Sequence, residues 1–264
     1  MRMILKRSFA FLILFVLVYS PALPAPKIFE KKYHGFTLWL DCQRHGAVAF
    51  YYELDRDDGS ISRSGGFKID SSVPEACQPI SATSYRTDTV DPATGTWDRG
   101  HLIPANHMDN NLLSMKDTFF IPNILPQQSD FNQTGGAWFE TEKISECYRD
   151  ISRLSIWGGF IWGDDNGNDF FVGTHGIDTP DFWWKLIYRH DTKDFNAWIF
   201  PNDRNSRLEN IDQFLVTIRD IKEHVDFVPD FGEIEQFPDD KPDHSWPVSG
   251  NQMVTCEGIT TDMG

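Results

Sequence analysis

The chain has 264 residues, 40% of them apolar and 14% aromatic, which suits one large domain or two small ones and excludes wholesale disorder. Its 39 Asp and Glu residues against 24 Lys and Arg give a net charge of −15. That charge argues against a generic basic nucleic-acid coat protein but leaves room for an enzyme with one local cationic site.

The N-terminal region predicts an export signal. A basic segment, residues 1–7, precedes twelve apolar residues, 8–19, and a short stretch of small residues. Twelve residues are short for a membrane span, which needs about 20. We therefore expect residues 1–22 to be a signal peptide cleaved near Ala22 or Ala25, with an uncleaved membrane anchor as the alternative. The mature protein would be secreted or periplasmic, without stable membrane association.

The rest of the chain predicts strands and helices mixed without regular alternation, which favours an α+β fold over a parallel βαβ sheet. Residues 71–97 carry no apolar period and predict a long loop. Asn166-Gly167 between two apolar runs predicts a hairpin. In chain order, we predict strands at 36–40, 47–54, 154–162, 170–173, 182–189 and 196–200, and helices at 137–151 and 211–225.

The C-terminal segment differs in composition from the rest. Residues 226–264 hold nine acidic residues and one basic residue, and they are rich in Pro. We expect residues 23–225 to form the folded domain and 226–264 to form an acidic, solvated tail.

Four cysteines in an exported chain favour disulfides, and three pairings are possible. We favour Cys42–Cys77, which are close in sequence, together with Cys147–Cys256, which would tether the tail. No CxxC spacing occurs, so neither a zinc ribbon nor a thioredoxin-type motif is supported.

The candidate chemistry lies in an amide-rich block between Trp97 and Glu146, which opens on Asp98-Arg99-Gly100-His101. A His takes a proton from water near neutral pH, and an Arg binds phosphate oxygens in a bidentate manner. Amide oxygens suit a hard divalent ion that keeps several of its waters. These are the parts that metal-assisted phosphodiester hydrolysis needs. Repeated prolines indicate that the block is mostly loop.

Three motifs in this block match, in order and spacing, those of the DNA/RNA non-specific endonucleases, which the chain resembles. Similar later motifs at 179–186 and 200–202 extend the resemblance over roughly residues 35–225. It implies a ββα-metal (His-Me finger) active site in an α+β fold with a central antiparallel sheet. The three motifs are Asp98-Arg99-Gly100-His101, residues 119–127 (FFIPNILPQ), and Phe131-Asn132-Gln133 followed by Ala137-Trp138.

The resemblance implies roles at the matching positions. His101 would be the general base that activates water, Arg99 would contact phosphate, and Asn132 would be the direct ligand of Mg²⁺, with Mn²⁺ as a substitute. Asn123 would support His101 or the water shell of the metal. The implied reaction hydrolyses DNA and RNA to 5′-phosphate ends, because the ion would stabilise the leaving 3′ oxygen. The oligomeric state stays open, with a homodimer as one option.

An insertion of two residues before the helix leaves the family's helix Glu ambiguous. Counting from Trp138 points to Glu142, whereas counting from Asn132 points to Glu140. The two positions are about 200° apart around a helix, so only one can face the metal. We favour Glu142, because the inserted glycines can absorb the extra length outside the helix.

The chain also departs from the family in charge. Glu146 stands where some members carry an Arg, and Tyr51 or Tyr52 stands where many carry an Arg on an upstream strand. Substrate contacts would then come from other cations, for which the candidates are Arg86, Lys116 and Arg149.

Several alternatives stay open. Asn132 is also a good helix N-cap, and Asn132-Gln133-Thr134 is a formal glycosylation sequon. His107 is better explained as structural than as catalytic, since one base suffices. The chain as a whole could be a catalytically silent relative that binds nucleic acid or a protein, or a phosphodiesterase of small nucleotides.

Overall fold

Strands rich in aromatic and branched residues build the central sheet. The computed structural model describes residues 28–63, 65–85 and 95–248. The strands of the central sheet are β1 (Ile28–Lys32), β2 (Phe36–Asp41), β3 (Gly46–Leu54), β6 (Leu154–Ile161), β7 (Phe182–Arg189) and β8 (Asp194–Pro201). They lie in that order and every neighbouring pair is antiparallel, which confirms the predicted α+β class with a central antiparallel sheet.

A separate two-stranded ribbon carries the DRGH motif. It pairs β4 (Trp97–His101) with β5 (Ile124–Gln128) in antiparallel register, so that His101 lies opposite Ile124. The short helix α2 (Ser129–Asn132) and the longer α3 (Ala137–Arg149) follow directly. Ribbon and helix together form the ββα unit that the resemblance predicts.

Two glycines before α3 absorb the extra chain length. Gly135 has a φ of +87°, which an L-residue with a side chain rarely adopts, and Gly136 is the N-cap. A Cβ on Gly136 would lie 2.1 Å from the carbonyl oxygen of Phe131. The insertion therefore lies outside the helix. Trp138, the second residue of α3, is fully buried and meets Trp183 of β7 edge to face at 4.8 Å, which fixes α3 on the sheet.

The remaining helices are short. They are α1 (Leu112–Asp117), α4 (Val172–His175) and α5 (Ile218–His224). Within the described part of the chain, no helix is both long and apolar enough to cross a membrane. The predicted signal peptide lies outside the described residues.

Several predicted elements were wrong. Residues 170–173 are not a strand: Val172 starts α4, while Phe171 packs fully buried beside Trp97. A short apolar run does not distinguish a strand from a buried helical turn. The predicted hairpin is also wrong, because β6 and β7 pair across the long connection 162–181.

The predicted helix 211–225 is divided at Leu215. A 3₁₀ segment, Leu208–Phe214, precedes it, and α5 begins after Thr217. The Thr217 side chain accepts from the backbone N–H of Asp220, whose carboxylate accepts from the N–H of Thr217. This capping box starts a new helix, whereas the spacing of apolar residues alone predicted one uninterrupted helix.

The cysteines follow the expected pattern where they are described. Cys42 and Cys77 form a disulfide, as predicted. Cys147, near the end of α3, is also disulfide-bonded, and its expected partner Cys256 lies outside the described residues.

The segment expected to be solvated packs in part against the sheet. A second core covers the face opposite α3, and Phe231 and Ile234 are fully buried in it. Phe231 lies 5.9 Å from the ring of Trp157 and 6.0 Å from that of Trp184. Residues 226–236 therefore contribute to the stability of the domain, although the segment is acidic.

We expect Phe231→Ala to lower the free energy of unfolding by about 3–5 kcal/mol, because it leaves a cavity between two tryptophans. Phe237→Ala is the matched control: this side chain is 38% exposed, so its loss should cost less than about 1 kcal/mol. Urea unfolding followed by Trp fluorescence measures both. Equal effects of the two substitutions would contradict a structural role for the segment.

Candidate active site

His101 ends β4 in an aromatic setting. Its ring lies 5.3 Å from that of Phe67 and 5.6 Å from that of Phe119. Burial, with the positive charges of Arg63 and Arg99 as smaller causes, lowers the pKa of His101 to about 3. The imidazole is therefore neutral at pH 7 and has a lone pair with which to accept a proton. Its Nε2 is buried and has no hydrogen-bond partner within the described residues.

Arg99 lies on the same strand, two residues before His101. Its Nη1 donates to the carbonyl of Ala82 at 3.1 Å, and its guanidinium lies 4.0 Å from the centroid of the Phe67 ring. Phe67 therefore contacts both side chains. These contacts hold the half-buried Arg99 beside the His101 ring.

Asn132 is tied to β4 through Asp98. Its Nδ2 donates to Asp98 Oδ2 at 3.0 Å, and Gln133 Nε2 donates to the same oxygen at 2.9 Å. Because the amide NH₂ points at Asp98, the amide oxygen faces away from it and accepts no hydrogen bond from the described residues. Asn132 ends α2 and Gly136 caps α3, so the alternative role of Asn132 as N-cap is not formed.

Glu142 and Glu140 lie in different surroundings. Burial raises the pKa of Glu142 to about 7, against the opposing effects of Lys185, Trp138 and Arg63. Glu140 instead pairs with Lys143 at 3.0 Å. Arg63 acts electrostatically on both His101 and Glu142. Because Arg63 acts on both groups, Glu142 rather than Glu140 is supported as the glutamate that faces His101. Its role as the metal-site glutamate stays a prediction.

Lys185 of β7 lies beneath α3 as a fully buried cation. Its Nζ donates to Thr141 Oγ1 at 2.8 Å and lies 3.6 Å from the centroid of the Trp138 ring. Burial lowers the pKa of Lys185 to about 7, although Glu142 opposes the shift. The lysine thus contributes positive charge close to Glu142.

Asn123 holds the chain that follows His101. Its Oδ1 accepts from the N–H of Ile103 at 3.1 Å. Its Nδ2 donates to the carbonyls of Ile103 at 3.0 Å and Thr118 at 2.9 Å. The side chain is fully buried and its hydrogen bonds all go to backbone. The structure therefore places Asn123 as a support of the loop after His101.

Sequence reasoning missed Arg63. This exposed residue lies in the loop after β3, 5.4 Å from the centroid of the Phe119 ring, and its charge acts on His101 and Glu142. Arg63 lies in the loop and not on the upstream strand, where Tyr51 and Tyr52 stand. The loop that contains Arg63 carries none of the family motifs named above. The one available signal in the sequence was a cation shortly after the turn at Asp57-Asp58-Gly59.

Tyr52, one of the two tyrosines considered above, and Glu146 belong to a largely buried network. The Tyr52 hydroxyl lies 3.0 Å from His107 Nδ1, and His107 Nε2 lies 3.4 Å from a carboxylate oxygen of Glu146. Burial raises the pKa of Glu146 to about 8, and Arg149 opposes that shift. His107 is 1% exposed, in agreement with a structural role.

The other cations predicted to contact substrate differ in their exposure to solvent. Arg149 is 1% exposed and donates to the backbone carbonyl of Asp55 at 2.9 Å, which removes it as a substrate contact. Lys116 is exposed on α1, and Arg86 lies outside the described residues.

The side chains available to a metal are few. Within the described ranges, no group of three or more His, Cys, Asp or Glu side chains could hold an ion. The candidate ligands are therefore the oriented amide oxygen of Asn132 and the 6% exposed carboxylate of Glu142. An oxygen donor set of this kind fits Mg²⁺, which is held by few protein ligands and keeps most of its waters.

Comparisons with known proteins agree with this geometry. The DNA/RNA non-specific endonuclease family matches residues 18–230. A nuclease of Serratia marcescens is 25% identical over 206 residues, covering 74% of this chain and 72% of the relative. Human mitochondrial endonuclease G is 24% identical over 207 residues, covering 73% and 66%.

Other relatives are longer. The mitochondrial nuclease EXOG of Mus musculus is 24% identical over 173 residues, which cover 59% of this chain but 44% of that protein, so the chain spans less than half of it. A crystal structure of an EndoG/EndoGI complex shares the fold, with a TM-score of 0.55, 18% identity, and coverage of 78% and 85%. With a family match over most of its length, the chain belongs to the DNA/RNA non-specific endonucleases.

Proposed function

We propose that the protein is a Mg²⁺-dependent endonuclease that hydrolyses phosphodiester bonds of both DNA and RNA and leaves 5′-phosphate ends. The observation that carries the proposal is the arrangement on β4. There, Asp98 orients the amide of Asn132, and three residues later the strand ends on a neutral, half-buried His101 whose Nε2 is buried. One strand thus presents both a base and the support of a metal ligand.

In this mechanism His101 takes the proton from the attacking water. Its depressed pKa keeps it unprotonated at neutral pH, so its lone pair is available to accept that proton. Arg99 and Arg63 bind the non-bridging oxygens of the phosphate and stabilise the charge that develops on them.

Asn132 and Glu142 would hold the ion, the first directly and the second through water. When bound, the ion would supply Lewis-acid stabilisation of the leaving 3′ oxygen. Asn123 keeps the chain after His101 in place through its three backbone contacts.

The substrate range follows from the kind of contact. Arginine and metal contacts recognise phosphate, and phosphate contacts carry no sequence information. A site built in this way accepts DNA and RNA alike. The local cations predict that salt weakens substrate binding, because each phosphate that they neutralise releases counterions.

Export is part of the proposal. The basic and apolar N-terminal segments predict cleavage near Ala22 or Ala25, and the disulfide Cys42–Cys77 suits an oxidising compartment outside the cytosol. The protein would act as a secreted or periplasmic nuclease, as a monomer or a homodimer.

A catalytically silent relative is the second candidate, because Glu146 stands where some members carry Arg. The buried position of Glu146, next to His107 and Arg149, weakens that alternative, since its charge is not presented to substrate. Cleavage of supercoiled plasmid and of structured RNA, with Mg²⁺ and with EDTA, separates the two. Metal-dependent cleavage of both substrates supports the endonuclease, whereas no cleavage by the folded, oxidised protein overturns it.

A further inference from the structure

An arginine that is distant in sequence supports the short helix that ends on Asn132. Because α2 ends at Asn132, the carbonyl of Asp130 has no partner within the helix. This carbonyl accepts instead from Nη1 of Arg207 at 2.6 Å, and the same nitrogen lies 3.4 Å from Asp130 Oδ1. The guanidinium of Arg207 therefore holds the end of α2, two residues before the proposed metal ligand.

The backbone around Arg207 is bound to the turn on the other side of Asn132. Gly136 and Arg207 form an antiparallel bridge. Two backbone hydrogen bonds flank the bridge, from the N–H of Leu208 to the carbonyl of Gly135 at 2.9 Å and from the N–H of Ala137 to the carbonyl of Ser206 at 3.0 Å. Residues 206–208 thus contact the chain both before and after Asn132.

The contact lies within the two-residue insertion that distinguishes this chain. A Cβ on Gly135 would lie 2.9 Å from Nη2 of Arg207, and a Cβ on Gly136 would lie 2.5 Å from the carbonyl oxygen of Asp130. The guanidinium therefore lies directly against both the inserted turn and α2. Close packing of this kind leaves the segment that carries Asn132 little room to move.

We propose that Arg207 is a positioning residue for the metal ligand, which holds α2 and the inserted turn so that the amide oxygen of Asn132 stays where an ion can bind. The inference rests on the proposed nuclease function and adds to it a residue that acts through Asn132. Asp98 orients the side-chain amide of Asn132, whereas Arg207 holds the backbone from which that side chain extends. The loss of such outer supports weakens the binding of metal ions.

The charge of Arg207 gives the inference a distinctive sign. A nearby cation repels a divalent ion, so its removal alone should leave ion binding unchanged or slightly stronger. Weaker binding in a variant without the guanidinium therefore reports lost positioning. Arg204 offers a matched control, because its Nε donates to Asp130 Oδ2 at 3.3 Å. Both arginines line one cleft, so a contact with substrate phosphate is the alternative that the test must separate.

The test is Mn²⁺ binding to Arg207→Met without substrate, followed by electron paramagnetic resonance. We expect the dissociation constant of Mn²⁺ to rise by about tenfold. Arg204→Met removes the same charge but leaves the bond from Arg207 to the Asp130 carbonyl, so its affinity should stay within about threefold of that of the wild type. Arg207→Lys keeps a charged donor and should recover most of the affinity. The Arg207 side chain is 29% exposed, so these variants should remain folded, which urea unfolding checks.

Cleavage of a single-stranded oligonucleotide gives the second measurement. At saturating Mg²⁺, kcat of Arg207→Met should return to within about threefold of that of the wild type, because the loss lies in ion binding. Unchanged Mn²⁺ affinity in Arg207→Met would overturn the inference, and a raised KM for the oligonucleotide would then assign Arg207 to the substrate. An equal loss of Mn²⁺ affinity in Arg204→Met would also overturn it. A wild type that binds no Mn²⁺ and cleaves no plasmid would instead overturn the proposed function.

Discussion

Replacing His101 by Ala should lower kcat for plasmid cleavage by about 10²–10⁴, the usual contribution of a positioned general base. The water would lose its proton acceptor, whereas Arg63 and Arg99 would still bind the phosphate. KM should therefore change little. Gel-based initial rates at saturating Mg²⁺ measure the effect, and the residual rate reports what phosphate binding and the ion contribute without the base.

The matched control for His101→Ala is His224→Ala. His224 is exposed in the last turn of α5 and contacts only the backbone carbonyl of Asp220, so its removal should leave the rate unchanged. A His101→Ala variant that retains most of its activity would show that another group takes the proton.

The same variant should also change how stability depends on pH. The pKa of His101 is about 3 in the folded protein, well below the value of about 6.5 in the unfolded chain. The unfolded state therefore binds the additional proton as the pH falls below 6.5, and the stability that the neutral imidazole provides above that pH is lost towards pH 3. Between pH 6.5 and pH 3, the free energy of unfolding should fall less steeply with falling pH in His101→Ala than in the wild type, by up to about 1.4 kcal/mol per pH unit. Urea unfolding at several pH values measures both slopes. Parallel curves would contradict the depressed pKa.

The chemistry of this site was easier to predict from the sequence than its supporting structure. Asp98, His101 and Asn132 could be proposed as site residues because they stand in motifs whose residue types and spacing match those of the family. The strands β4 and β5 were not recognisable, since amides and prolines such as Pro126 resemble loop residues. The ribbon forms because its two strands pair with each other and pack on residues distant in sequence. Local patterns do not contain that information.

Contacts between distant parts of the chain account for the other differences. Arg63 lies close to His101 because its loop folds back onto Phe119, and nothing in the loop's own sequence indicates that contact. Phe231 and Ile234 lie within an acidic segment, so average composition concealed two residues that complete a core. The position of the helix after the glycine insertion was predictable, because glycine tolerates the backbone conformation of Gly135 and the close approach at Gly136.

Replacing Asn132 by Ala should weaken Mg²⁺ binding and lower cleavage by about a hundredfold or more, since a bound ion supplies several kcal/mol of transition-state stabilisation. The oxygen that Asp98 orients towards the ion would be missing. Asp98→Ala should cost about 10–100-fold, because it leaves the amide present but no longer oriented. Mn²⁺ titration followed by electron paramagnetic resonance measures ion binding without relying on activity.

Gln133→Ala is the matched control for the metal ligand. Gln133 donates to the same Asp98 oxygen as Asn132, at 2.9 Å against 3.0 Å, but it is exposed and lies outside the proposed ligand set. Gln133→Ala removes one hydrogen bond to Asp98 but no proposed ligand. We expect its Mn²⁺ affinity to differ from that of the wild type by less than about threefold. If Asn132→Ala and Gln133→Ala weaken Mn²⁺ binding equally, Asn132 acts only through Asp98 and is not the ligand. If Asn132 is the ligand, Mn²⁺ affinity should fall strongly in Asn132→Ala, less in Asp98→Ala, and hardly at all in Gln133→Ala.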